Sequence, residues 1–131
     1  ACRYKFSMYE ITIIKSFSAA HRLKEIGGRC EDLHGHNFKV EVTAAGRDLN
    51  AQDLLIDFRE LKGWTLEILE DFDHKYLNDL EFFRGVNPSS ERLAKTIYDR
   101  LQVRCRQTAV KVTKVTVWES ENARVAYGEP A

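Results

Sequence analysis

The stretch His34 to Ala44, HGHNFKVEVTA, alternates with a period of two: His34, His36, Phe38, Val40 and Val42 share one parity, and Asn37, Lys39, Glu41 and Thr43 the other. Successive side chains of a pleated strand point to opposite faces, so the alternation predicts a half-buried strand. Both imidazoles then fall on the apolar side. A second segment, Tyr9 to Ala20, YEITIIKSFSAA, is rich in β-branched and aromatic residues and predicts a strand that delivers His21 at its end. Two strands that each end in histidine constrain the chain more than any other feature it has.

The remaining elements follow from turn and capping signals. Gly46 to Gln52 is a turn-rich connection. Asp57-Phe58-Arg59-Glu60 predicts a helix start with an acidic cap and a returning glutamate, followed by Phe58, Leu61, Trp64 and Ile68 at helical spacing. Asp73 to Asn78, DHKYLN, predicts a polar loop. A second helix is expected from Asn87-Pro88-Ser89-Ser90, with proline suited to the first helical position and Leu93, Ile97 and Leu101 forming an i, i+4, i+8 stripe. Val110 to Glu119 predicts a strand, Ser120-Glu121-Asn122 a turn, and Ala123 to Tyr127 the second arm of a hairpin. The order ββααββ predicts an α+β domain with helices on one face of an antiparallel sheet, leaving the other face for a partner.

A chain of 131 residues, 44% hydrophobic, suits one domain, 1–131, and shows no linker that would divide it. Twenty basic and twenty acidic side chains cancel, which argues against a polyanion-binding surface and so against nucleic acid as a direct partner. No apolar run approaches the roughly 18 residues of a membrane span, and the N-terminal ACRYKFS lacks a signal-peptide core. A soluble cytoplasmic protein without a membrane partner is expected. Cys2, Cys30 and Cys105 are odd in number and without framework spacing, which argues for reduced thiols.

The candidate chemistry lies in and around CEDLHGHNF, Cys30 to Phe38. His34 and His36 face one way, and His21 at the end of the other strand offers a third nitrogen. Three neutral imidazoles leave one tetrahedral position open, as in a catalytic zinc site. The alternative is that they are ordinary polar residues on a half-buried strand. Cys30 is either a small inert thiol or, just ahead of two metal ligands, a thiol near positive charge that favours the thiolate. Asp73 and His74 add a carboxylate and an imidazole that can exchange protons near neutral pH. Glu119 closes an apolar strand face shared with Val115 and Val117, and is otherwise a solvated strand end.

Ser18 to Leu23, Cys30 to Asn37, Asp57-Phe58 with Glu60-Leu61-Lys62, Asp73-His74 with Leu77-Asn78, Asn87 to Glu91 with Leu93-Ala94, and Trp118-Glu119 together resemble the 6-pyruvoyltetrahydropterin synthase family. The resemblance runs from about Phe17 to Glu129. The short gap from Cys30 to His34 and the Asn-Pro-Ser-Ser-Glu segment resemble the bacterial 6-carboxytetrahydropterin synthase branch of queuosine biosynthesis. The resemblance implies zinc held by His21, His34 and His36, Cys30 as base, Asp73 and His74 completing a proton relay, and Glu119 anchoring the pterin, with Ser89 and Ser90 as further substrate-binding positions. It implies the tunnelling fold, in which sheets of several subunits close a barrel, as a hexamer made of two trimers with active sites at subunit interfaces. The implied substrate is 7,8-dihydroneopterin triphosphate, and the implied product of this branch is 6-carboxy-5,6,7,8-tetrahydropterin, formed without an organic cofactor.

Glu31 widens the choice. CEDLHGH is similar to a subgroup of that family carrying both a cysteine and a glutamate, which implies a dual-function enzyme that also forms 6-hydroxymethyl-7,8-dihydropterin through Glu31, as in folate synthesis. Glu31 as a solvated loop acid is the alternative. Two readings from other classes remain. His34-x-His36 with Glu41 fits part of a cupin metal motif, although Glu41 has the wrong parity. Cys30 with His74 fits a cysteine hydrolase, which would leave the other histidines idle.

Overall fold

A computed structural model describes residues 7–129, apart from the side chains of Arg29 and Cys30. Cys2 lies outside the described residues. The elements are β1 (Tyr9–His21), β2 (His34–Gly46), α1 (Phe58–Glu70), β3 (Lys75–Tyr76), α2 (Ser90–Cys105), β4 (Lys111–Ser120) and β5 (Ala123–Gly128), with short 3-10 turns at Gly28–Glu31, Leu77–Asp79 and Glu81–Phe83. The sheet order is β3-β1-β2-β4-β5. The long strands are antiparallel, and β3 runs parallel to β1. This is the expected α+β architecture with one addition. The loop over Asp73–Asn78 contains the two-residue strand β3, because Lys75 and Tyr76 pair with Ala19 and Ala20.

The parity of β2 decides which face is buried. Phe38, Val40 and Val42 are fully buried. They meet Ile13, Phe17 and Ala19 of β1, Val112, Val115 and Val117 of β4, and the helix residues Leu61, Ile68, Leu93, Ile97 and Leu101, all in one core. The opposite face carries Thr12, Lys39, Glu41, Lys114 and Thr116 in the paired strands. There Trp118 donates its indole N–H to Glu41 at 2.8 Å, while Lys39 and Arg124 stand over its ring.

Both helix starts differ in detail from the sequence expectation. Asp57 caps α1 by accepting from the backbone N–H of Arg59 at 2.8 Å. The reciprocal bond expected from Glu60 is not made among the described residues. Instead the Arg59 guanidinium folds back onto Asp57, and these hydrogen bonds hold the carboxyl at about 2. Phe58, counted in the apolar stripe, is exposed because it lies on the first turn, beside the core rather than over it. In α2 the cap is Ser89, whose hydroxyl accepts from Arg92 N–H at 3.2 Å, so Pro88 lies before the cap and not at the first helical position. The helices are joined at their outer faces by Arg104 to Glu67 and by Arg100 to Asp71.

Phe38 stacks on Phe17 with ring centroids 5.0 Å apart and supports His36 and His21 edge-on at 5.4 and 5.7 Å. Phe38→Ala is expected to cost about 3–5 kcal/mol in urea denaturation, through lost burial plus a cavity. Phe58→Ala should change stability by no more than about 0.5 kcal/mol. Similar losses at the two positions would overturn this assignment of the core.

Candidate metal centre

The strand register builds the site. His21 is paired with His34 and Ala19 with His36, so the last residue of β1 and the first and third of β2 share the core-facing parity. The three rings lie edge to face, with centroids 4.5 Å (His21–His34), 5.2 Å (His21–His36) and 4.8 Å (His34–His36) apart. On β4, one residue past the Lys39–Trp118 pair, Glu119 reaches the same cluster. One ligand atom from each of His21, His34, His36 and Glu119 lies within 4.8 Å of all the others.

Hydrogen bonds fix the tautomers. His21 Nδ1 lies 2.8 Å from the carbonyl of Pro88, and His34 Nδ1 lies 2.7 Å from the carbonyl of Asp32. A carbonyl only accepts, so each Nδ1 carries a proton, and a ring with a single proton presents a bare Nε2 lone pair. This is the outer-shell arrangement that orients metal-binding imidazoles. His21 Nε2 and His36 Nε2 are buried without a hydrogen-bond partner. Glu119 Oε1 lies 3.4 and 2.9 Å from them, close enough for charge attraction but outside hydrogen-bond geometry. Burial pushes the His36 ring below its ordinary pKa, the Glu119 charge pulls it back up, and His21 and His34 add to the fall. Imidazole nitrogens converging beside one carboxylate, two of them buried without a hydrogen-bond partner, are the donor set for a borderline divalent ion.

The sequence candidates separate into two places. Asp73 and His74 do not belong to the cluster. The Asp73 carboxylate accepts the backbone N–H of Ser18 at 2.9 Å, the main cause of its lowered pKa, and lies 3.0 Å from His74 Nδ1. His74 sits in the left-handed region at φ 58°, unusual for a residue with a Cβ, and its N–H donates to Ser18 O at 2.6 Å. Its ring is exposed in a groove of about 500 Å³ lined by Ser18, Gly35, His36, Asn37, His74 and Tyr76. Cys30 lies on the 3-10 turn Gly28–Glu31 that links β1 to β2. Its side chain is outside the described residues. Glu31 Oε1 accepts the backbone N–H of Glu25 at 3.0 Å, tying this turn to the chain leaving His21. Ser89 and Ser90 line a pocket of about 250 Å³ with Leu23, Glu119 and Arg124, and Ser90 Oγ is buried without a partner. Glu41 points to the helix-free face and is engaged by Trp118, so the cupin grouping of Glu41 with His34 and His36 does not form.

Two residues quoted in the sequence motifs without a role of their own hold the chain beyond β1. Asn78 pairs its side-chain amide with both the N–H and the C=O of Arg22, at 2.9 and 3.0 Å. Asn87 does the same for Lys24, at 2.8 and 3.0 Å. The two amides imitate a neighbouring strand and extend the order of β1 beyond His21. Asparagines are common in loops, so only the folded chain distinguishes these from turn residues.

The family model described as 6-pyruvoyl tetrahydropterin synthase matches residues 10–130. A 6-carboxy-5,6,7,8-tetrahydropterin synthase of Bacillus subtilis is 36% identical, over 86% of this chain and 79% of that protein. A human 6-pyruvoyl tetrahydrobiopterin synthase is 35% identical, over 86% of each. Among solved structures, that of a Caenorhabditis elegans 6-pyruvoyl tetrahydropterin synthase superposes with a TM-score of 0.83 at 26% identity, covering 98% of this chain and 100% of that one.

Two outcomes test the centre. His34→Ala and His36→Ala should each lower zinc affinity by at least about 100-fold in chelator competition while far-UV circular dichroism is retained, because each removes a ligand and not a core side chain. Asn78→Ala and Asn87→Ala should each cost about 0.5–1.5 kcal/mol and speed amide hydrogen exchange at Arg22 and Lys24, respectively. Unchanged exchange at those amides would remove the clamp.

Proposed function

The chain belongs to the 6-pyruvoyl tetrahydropterin synthase family, and on that footing we propose that it is a zinc-dependent lyase converting 7,8-dihydroneopterin triphosphate to 6-carboxy-5,6,7,8-tetrahydropterin. The observation that carries this reading is the position of Glu119, which borders both the three imidazoles and the pocket lined by Ser89 and Ser90. A pterin edge offers an amino group and a ring N–H side by side. A carboxylate accepts both, which places the pterin side chain toward the histidines. When bound, zinc supplies Lewis acidity that makes a carbon-bound proton beside the side-chain hydroxyls easier to remove.

The residues of the chain then divide the work. His21, His34 and His36 hold the ion. Cys30, on the turn ahead of His34, takes the carbon-bound proton as thiolate. His74 exchanges the second proton, with its charged form supported by Asp73. Triphosphate and acetaldehyde leave, one water is consumed in forming the carboxylate, and the two electrons lost by the side chain reduce the dihydropterin ring to the tetrahydro level. Asp73 and His74 are not among the clustered donor atoms, and this reading completes the relay between subunits. Sheet edges support that arrangement. Among the described residues β5 pairs only with β4, and the outer edge of β1 is paired only at Ala19 and Ala20. Open strands of this length invite pairing with another chain. A hexamer of two trimers with barrel-forming sheets satisfies them, and cytoplasmic placement agrees with the lack, among the described residues, of any helix able to cross a membrane.

Glu31 distinguishes the second reading, in which the same site also forms 6-hydroxymethyl-7,8-dihydropterin. Its carboxylate is engaged by Glu25 N–H, which favours the single base Cys30. Product analysis by chromatography and mass spectrometry after incubation with dihydroneopterin triphosphate tests both. Wild type and Glu31→Ala are expected to give the carboxy product, and Cys30→Ala to lose it. Hydroxymethyl-dihydropterin from wild type that disappears in Glu31→Ala would establish the dual function instead. No turnover of this substrate by metal-loaded wild type would sink the reading altogether.

A further inference from the structure

Glu119 stands where two partners compete for it. Its Oε1 lies 2.9 Å from His36 Nε2 and 3.4 Å from His21 Nε2, both buried and neither hydrogen-bonded. His21 Nδ1 donates to Pro88 O, so with one proton on the ring its Nε2 presents a lone pair to the carboxylate. Lone pair against anion is repulsive, and becomes attractive only when a cation sits between them. Four donors around zinc at bond lengths of about 2.0–2.1 Å stand about 3.3 Å from one another in a tetrahedron. The 2.9 and 3.4 Å approaches bracket that edge, and the 4.8 Å limit on the whole set leaves only side-chain relaxation to close it.

The same side chain is built to move. In the β4–β5 hairpin Trp118 pairs with Arg124 and Ser120 with Ala123, which leaves Glu119 as the extra residue of a β-bulge. Bulges break the ladder locally and re-aim a side chain. Glu119 is about a third exposed, toward the pocket of Leu23, Ser89, Ser90, Ala123 and Arg124. Pairing both carboxylate oxygens with two in-plane donors of a pterin turns the group toward that pocket and away from the imidazoles.

We propose that Glu119 is the fourth ligand of the metal when no pterin is bound, and that pterin binding withdraws it. The proposal rests on the pterin-synthase reading for the identity of the competing ligand. Three nitrogens and one carboxylate oxygen make a closed shell of the structural kind. In that state the ion is held tightly and offers no free position to water or to unrelated diols. A pterin ring opens it by taking the carboxylate, so recognition of the ring and exposure of the ion become one event, and specificity is set before chemistry begins.

Cobalt(II)-substituted protein gives a readout independent of turnover, because the intensity and position of its visible bands follow coordination number and donor type. Glu119→Ala and the near-isosteric Glu119→Gln should both shift these bands, and should weaken zinc binding by about 10–100-fold in chelator competition. Adding 7,8-dihydropterin, which has no side chain to meet the metal, should move the wild-type spectrum toward that of Glu119→Ala. Superimposable spectra and equal zinc affinities for wild type and both variants would overturn the ligation. Dihydropterin that binds wild type in equilibrium dialysis without altering its cobalt bands would overturn the withdrawal. If wild type does not bind dihydropterin while the Glu119 variants still shift the bands, the pterin reading fails and the withdrawal with it, and the carboxylate remains a ligand.

Discussion

The site depends first on the register between β1 and β2. His21 opposite His34 and Ala19 opposite His36 put three imidazoles on one parity at one end of the sheet. A slip by one residue would turn His34 and His36, with Phe38, Val40 and Val42, to the helix-free face. The core and the metal centre are therefore fixed by the same pairing. Stability enforces the register, since the slipped strand would expose an aromatic ring and two valines that are now fully buried.

Around that register, the loops act through main-chain atoms. Pro88 and Asp32 contribute carbonyls that set the tautomers of His21 and His34. Asn78 and Asn87 hold the chain leaving His21, and Ser89 caps α2 directly after Pro88. The segment from Asn87 to Ser90 thus orients the His21 ring, clamps a loop and starts a helix. A catalytic metal needs ligands held to within a fraction of an ångström, and helix and strand ends supply that rigidity where a free loop would not.

The division within the chain has a consequence for assembly. The imidazole cluster lies on the helix side of the sheet, while Asp73 and His74 are fastened to the outer edge of β1 at Ser18. The left-handed backbone at His74 is held there by its own N–H and by β3, so the ring is presented to the groove that His36 also borders. Open sheet edges such as that of β5 favour pairing with another chain.

The element order ββααββ, the two helices, the parity of His34 and His36 and the arrival of His21 were legible in the sequence, because hydrophobic period, caps and turns are local properties. The family resemblance, carried by residues from Ser18 to Glu119, also proved correct. Other features depended on contacts between residues distant in the chain. The sequence could place Glu119 at the end of an apolar strand face, but only β2–β4 pairing and the bulge bring its oxygen to His21 and His36. Asn78 read as loop polarity and Asn87 as part of a helix start, and only the fold brings them against backbone 56 and 63 residues away in the chain. Phe58 had the right helical phase and still faces solvent, since phase says which side of a helix is apolar and not where the sheet beneath it ends. Periodicity follows from the geometry of one strand or helix, whereas a metal centre is defined by distances between strands, and those distances exist only when the sheet has closed its register.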